Sequence, residues 1–223
     1  MAKAIVETGV PVVVVLTHGK PITINYIAEN VPATIDTWYL GEKTGKVVVD
    51  ALFGKIYPGG KLPITYPGSI GQIPVYYSHK PSARRGYLNG DEISLFPFGF
   101  GLSYTTFEYS NLKITPDSNI LDGKAIVRVD IKNTGKIKGD EIVQLYIHDK
   151  IVTRTRPVKE LKGFERITLK AGETKTVEFE IGFEDLKFYN QNKKWAVESG
   201  EFDIMVGSSS DNLNTVLYTI IDK

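Results

Sequence analysis

There is no cysteine in the 223 residues, which excludes a disulfide scaffold, a thiolate nucleophile and any cysteine-ligated metal. Histidine is scarce at three, and His18, His79 and His148 stand too far apart for an i, i+4 metal face. No G-x-S-x-G elbow is present to recruit one of them as a base. Long apolar runs are missing too. The longest, Val10 to Leu16, falls far short of the roughly twenty residues that cross a bilayer. Lys3 is followed by no signal-like stretch ending in small residues, so a soluble chain with no visible export signal is expected, its compartment open. Neither sign of charge prevails: Lys+Arg 27 against Asp+Glu 26 leaves +1. With no basic stripe, nucleic acid and membrane surfaces are not expected as partners. What is present, 42% hydrophobic and 24% charged residues with Gly 21 and Pro 11, is the balance of a globular protein rich in turns, large enough for two domains.

The texture changes along the chain. Met1 to Glu7 reads as a helix end. Val12 to Leu16, a β-branched run bounded by turn residues, predicts a strand buried on both faces, as parallel strands are. Ala33 to Tyr39 predicts a second strand. Pro21 to Glu29 between them predicts a short helix opening on a proline, and Gly45 to Phe53 carries Val48, Leu52 and Phe53 at helical spacing. Strand, helix, strand, helix implies an α/β layer. Gly54 to Leu102, rich in Gly, Pro and Tyr without periodicity, reads as long ordered loops. From Phe107 the period becomes two. Val127, Val129 and Ile131 alternate with Arg128 and Asp130, and Val143, Leu145 and Ile147 with Gln144 and Tyr146. Val177, Phe179 and Ile181 alternate with Glu178 and Glu180, and Phe202, Ile204 and Val206 follow later. With turns at Asn133-Thr134-Gly135, Lys170 to Glu173 and Glu198-Ser199-Gly200, about seven strands are expected in a sandwich of immunoglobulin or fibronectin type III shape.

Several motifs invite chemistry and are better explained without it. Asp91-Glu92, Asp140-Glu141 and Glu184-Asp185 are adjacent acidic pairs. Neighbours on a strand point to opposite faces, so Asp140 and Glu141 cannot converge on one atom. The other two pairs fall in expected loops, where carboxylates are solvated. Gly41 to Lys46 misses the phosphate-loop spacing by one residue and lacks its hydroxyl after the lysine. Phe98-Gly99-Phe100-Gly101-Leu102 lacks the strand-to-helix context of a dinucleotide loop and reads as a turn. His18 stands at the carboxyl end of the first strand, the edge where open α/β sheets put ligands; position alone is weak evidence, and a polar residue closing a strand is the preferred reading. The aromatics between Tyr66 and Tyr109 serve as mortar between two domains or as faces for sugars. Arg84-Arg85 lies within them. Trp195 precedes a turn and shares its period-two face with Val197, which predicts a plug in the end of the sandwich.

Taken together, certain segments resemble the C-terminal portion of glycoside hydrolase family 3. They are Val12 to Leu16 with Gly19-Lys20-Pro21, Trp38-Tyr39-Leu40-Gly41-Glu42, Gly59-Gly60-Lys61-Leu62-Pro63 and Tyr77-Ser78-His79-Lys80-Pro81. Phe96 to Tyr104 and Arg156-Pro157-Val158-Lys159-Glu160-Leu161-Lys162-Gly163-Phe164 complete the set, in order, over nearly the whole chain. Arg84-Arg85-Gly86-Tyr87 leans towards β-xylosidases or β-glucosidases. The resemblance implies a fold class of α/β plus all-β: residues 1–103 as part of an α/β sandwich domain, and 104–223 as a fibronectin type III-like β-sandwich. It further implies retaining hydrolysis of β-glycosides by an aspartate nucleophile and a separate acid/base carboxylate. In the family both lie before the strand matched by Val12 to Leu16, so no catalytic residue is carried over, no ligand-binding residue is assigned, and no metal or cofactor is expected. Thr44 departs from a frequent glycine, and His18 from a common Asn or Ser.

Two expectations follow. As a C-terminal segment of a β-glycosidase, the chain is inactive alone and needs a complementary chain carrying the catalytic barrel, or self-associates through its exposed α/β edge, with a β-linked oligosaccharide as ligand of the complete enzyme. The alternative is a non-catalytic carbohydrate-binding or interaction module, using the Tyr66 to Tyr109 aromatics or the sandwich loops around Arg154 and Arg156.

Overall fold

A computed structural model describes residues 1–81, 94–150 and 153–222. Arg84, Arg85, Gly86, Tyr87, Asp91 and Glu92, singled out above, lie outside these residues.

The first half is an incomplete α/β layer. Strands β1 (Val13–Leu16) and β2 (Ala33–Asp36) pair in parallel, with Leu16 opposite Asp36. Around them lie helices α1 (Ala2–Val6), α2 (Asn25–Asn30) and α3 (Thr44–Leu52). Two expectations are corrected. Helix α2 begins at Asn25 rather than Pro21, because Ile22-Thr23-Ile24 is a β-branched run that resists helical rotamers and Ile24 goes into the interior instead. Strand β1 is not buried on both faces. Val13 is 50% exposed, since the described sheet has only two strands and little to cover it. Apolar side chains of α3 also face outward, and Phe53 just beyond it is 76% exposed.

The second half is closed. A three-stranded sheet, β3 (Phe107–Thr115), β5 (Ala125–Asn133) and β8 (Thr174–Ile181), runs in the order β3-β5-β8. A five-stranded sheet contains β4 (Ser118–Ile120), β6 (Gly139–Asp149), β7 (Glu160–Leu169), β11 (Gly200–Gly207) and β12 (Leu213–Ile221), in the order β4-β12-β11-β6-β7. All pairs are antiparallel except β12 with β4. Among the described residues eight strands form the two sheets where about seven were expected, the short β4 being the one without an alternating signal. The alternating residues Val127, Val129, Ile131, Val143, Leu145, Ile147, Val177 and Ile181 are all buried in one core with Phe202, Ile204 and Val206. Each such side chain contributes about 1.5–3 kcal/mol by leaving water.

Between β8 and β11 the chain forms a helical turn α4 (Phe183–Leu186) and a two-residue ribbon of β9 (Phe188–Tyr189) with β10 (Trp195–Ala196). Trp195 does not plug the sandwich: it is 60% exposed, while Val197 is buried. The ribbon pairs Trp195 with Tyr189 outside both sheets and ends at Ala196, so the period-two argument does not extend to Val197. Replacing Trp195 by alanine should therefore change stability by no more than about 0.5–1 kcal/mol, read as a melting temperature close to that of the parent.

The two halves are fastened by the aromatic loops. Tyr77 stacks on Phe98 at 4.4 Å and meets Tyr146 edge-on at 5.6 Å. Tyr146 lies on the outer face of β6 yet is 0% exposed; its hydroxyl donates to Gln144 Oε1 (2.6 Å), and Gln144 Nε2 donates to the carbonyls of Ser208 (2.7 Å) and Gly99 (3.2 Å). Gly99 turns at φ +78, and a Cβ there would collide with the Gln144 amide, so the Phe98–Gly99 turn needs glycine for conformation and space alike. Backbone hydrogen bonds from Val158 to His79 and from Ser210 to Phe98, each 2.9 Å, complete the joint. The aromatics act here as mortar.

Candidate functional site

Parallel register brings the carboxyl ends of β1 and β2 together, and with them His18 and Asp36. Thr37 ties the edge down: its amide donates to Leu16 O (3.0 Å), and its hydroxyl to the same oxygen (2.8 Å). His18 Nε2 lies 3.3 Å from Asp36 Oδ1 and 3.3 Å from the Tyr66 hydroxyl. Tyr66, reaching in from the loops and 1% exposed, donates to the second Asp36 oxygen. The Trp38 amide donates to Oδ1 of the same carboxylate (3.3 Å). Burial, and then the neighbouring Asp36 carboxylate, push the Tyr66 phenol well above its usual range, so at neutral pH it is a donor and Asp36 the acceptor.

The Tyr66 hydroxyl and the Trp38 amide both donate to this carboxylate, His18 Nε2 lies beside it, and it has no second carboxylate among its described partners. Retaining hydrolysis needs two carboxyl groups about 5 Å apart. The cluster instead shapes an aromatic rim. Trp38 is held at φ +50, a left-handed conformation rare for a tryptophan. Tyr39 beside it is exposed and lies over Gly19, where a Cβ would come within 2.6 Å of its ring. The His18 ring sits 5.3 Å from that of Trp38. Its Nδ1 is shut from solvent with no hydrogen-bond partner in the described structure.

The other residues weighed from sequence are placed elsewhere. Asp140 and Glu141 do point apart: Asp140 pairs with Arg166 on the surface, while Glu141 turns inward to Lys61 Nζ (3.1 Å) and the Tyr109 hydroxyl (3.0 Å). Glu184 and Asp185 are not in a loop but in α4, where Asp185 accepts from the Gly182 amide (2.9 Å) and Glu184 pairs with Lys187. They fold so because a carboxylate one turn after Gly182 can satisfy the free amide at a helix start. His79 Nδ1 lies 3.0 Å from Lys80 O, and His148 lies 3.5 Å from Asp203. Among the described residues no group of three metal-ligating side chains converges, and no helix is long and apolar enough to cross a membrane. Tyr66 was counted only among the loop aromatics, and Asp36 was not singled out, since the expected strand ran on to Tyr39 whereas β2 ends at Asp36.

Residues 1–104 match the glycosyl hydrolase family 3 C-terminal domain, and residues 141–210 match the fibronectin type III-like domain. The chain belongs to glycoside hydrolase family 3 and corresponds to its C-terminal portion. It is 49% identical over 99% of its length to a β-xylosidase of Formosa agariphila, and 43% identical over 93% to a periplasmic β-glucosidase of Salmonella typhimurium. It superposes on a β-glucosidase structure from Erythrobacter marinus with a TM-score of 0.95, 42% identity and 99% coverage of this chain. The chain spans only 31%, 28% and 29% of those proteins. In this family 3 portion the α/β half followed by the β-sandwich is thus the expected pair of folds.

Proposed function

We propose that this chain is the C-terminal scaffold of a β-glycosidase acting on β-linked glucosides or xylosides, dividing near Ser103 into its α/β and sandwich parts. The carboxylates of retaining hydrolysis then come from the rest of the enzyme, and the His18–Asp36–Tyr66 cluster holds Trp38 and Tyr39 as a rim of the sugar site. The observation that carries this reading is the alignment of 99% of the chain with 31% of a β-xylosidase. The exposed apolar side chains of the α/β half support it, since Val13, Phe53 and Ile70 belong under a covering layer.

A complementation assay tests the reading. The chain alone should leave 4-nitrophenyl β-xyloside and β-glucoside intact, and should restore hydrolysis when co-expressed with the Formosa β-xylosidase lacking its own matching segment. Turnover by the purified chain alone would refute it. So would a silent mixture in an assay where the native segment restores activity.

A further inference from the structure

A second feature lies on the sandwich, away from the α/β edge. Residues 153–157 ahead of β7, the end of α4 and the β9–β10 ribbon line an open cleft of about 710 Å³, within the range of small-ligand sites. Trp195 and Tyr189 stand on its wall with rings 5.5 Å apart at 66°. Both are exposed. The Lys187 ammonium lies 5.0 Å over the Trp195 ring and pairs with Glu184. The Lys187 ammonium takes part of the Trp195 ring, and the aromatic surface left exposed can take the apolar C–H face of a pyranose.

Four cations line the cleft, Lys80, Arg154, Arg156 and Lys187, together with the carboxylate of Glu160. Lys187 is committed to Glu184. Arg156 is committed to Asp149 and Glu160. Glu198, nearby, is engaged by the amide and hydroxyl of Thr153 (3.0 and 2.7 Å). Arg154 is different. It is exposed, its Nη1 donates to the carbonyls of Tyr189 (3.2 Å) and Asn190 (3.4 Å), and among the described residues it has no carboxylate partner. Those two carbonyls fix the guanidinium at the ribbon, and its other N–H groups have no hydrogen-bond partner among the described residues, an arrangement that suits a bidentate carboxylate. Lys80, also without an ion pair among the described residues, adds a second positive charge to the same cleft.

We propose that this cleft binds an oligosaccharide bearing a carboxylate, a uronosyl residue, with Trp195 and Tyr189 as platform and Arg154 as the carboxylate's partner. The choice of a glycan rests on the glycosidase reading above, but the site requires no catalytic partner, so its test is separate from complementation.

Titrate the full chain, following Trp195 fluorescence and the indole N–H resonance, with a xylo-oligosaccharide carrying a glucuronosyl branch and with unbranched xylohexaose. The acidic ligand should bind roughly tenfold more tightly, the scale of one charge-assisted hydrogen bond. Arg154→Gln should erase that preference, and Trp195→Ala should weaken both ligands. Both side chains are exposed, so unchanged melting temperatures control for folding. Should a variant misfold, the shift of the parent's Trp195 indole by the acidic ligand and not by the neutral one carries the decision. Equal affinities, unmoved Trp195 signals, or equal competition by a hexaglutamate peptide would overturn the proposal, the last by assigning the cleft to acidic peptide.

Discussion

Arg156→Ala should cost the sandwich about 3–5 kcal/mol at neutral pH, the usual loss when one partner of a buried ion pair is removed. Arg156 is buried, and its guanidinium reaches three acceptors at once: Asp149 Oδ2 (3.0 Å), the Leu186 carbonyl (2.7 Å) and Glu160 Oε2 (2.7 Å). It also lies 5.7 Å from the centre of the Phe188 ring. One side chain therefore joins the end of β6, the start of β7 and the end of α4. Burial pushes the Asp149 carboxyl up to about 6 even against the pull of Arg156, so without the guanidinium it should rise further and the ionised form at neutral pH becomes costly. At 2–4 °C per kcal/mol for a chain of this size, the melting temperature should fall on the order of 10 °C. Arg156→Lys should lose less, since an ammonium keeps the charge but cannot span all three acceptors. A fall of under about 2 °C for the alanine variant would show that the three elements do not depend on this contact.

Much of this architecture was legible from local pattern, and what was not has a common cause. Alternation at Val127, Val129 and Ile131, or at Val143, Leu145 and Ile147, named the core strands correctly because one face of each sheet meets the other sheet and the opposite face mostly meets water. The same rule placed Tyr146 and Gln144 on an outer, solvated face. Both are buried, because Tyr77 and the Phe98–Gly99 turn cover that patch from the other half of the chain. Trp195 failed in the opposite direction: its apparent period ran across a two-residue ribbon that belongs to neither sheet. The candidate site was half readable. His18 was visible from its position at a strand end, whereas its partners Asp36 and Tyr66 lie 18 and 48 residues further on and meet it only through parallel register and an aperiodic loop. The burial of β1 on both faces was expected from a β-branched run that, among the described residues, has only one parallel neighbour. That run reads as interior, and its exposure is the local sign of the covering layer that the proposed function supplies.

The second large effect is expected at Lys61, and its pH dependence distinguishes it from a simple loss of packing. Lys61 comes from the loops of the α/β half, donates to Gly101 O (2.9 Å), and carries its ammonium to Glu141 in the sandwich (3.1 Å). Glu141 is 4% exposed. Burial raises its carboxyl above the ordinary glutamate range, although Lys61 and the Tyr109 hydroxyl pull it down. Lys61→Met keeps the apolar stem and removes the stronger of those two pulls, so the Glu141 carboxyl should rise further. A carboxyl whose folded-state pKa lies above its unfolded value keeps its proton in the fold after the unfolded chain has released it, so stability falls as pH climbs between the two values. The variant should thus be least stable above the raised pKa, by about 3 kcal/mol relative to the parent near pH 8, and should recover most of that loss as the pH falls towards 5. Denaturant unfolding at the two pH values measures the difference directly. Glu141→Gln in the Lys61→Met background removes the titrating group, and its stability relative to the parent should vary far less with pH. A loss of equal size at both pH values, persisting in the double variant, would mean that Lys61 acts through its packing alone and that the two halves are not held together by this buried charge pair.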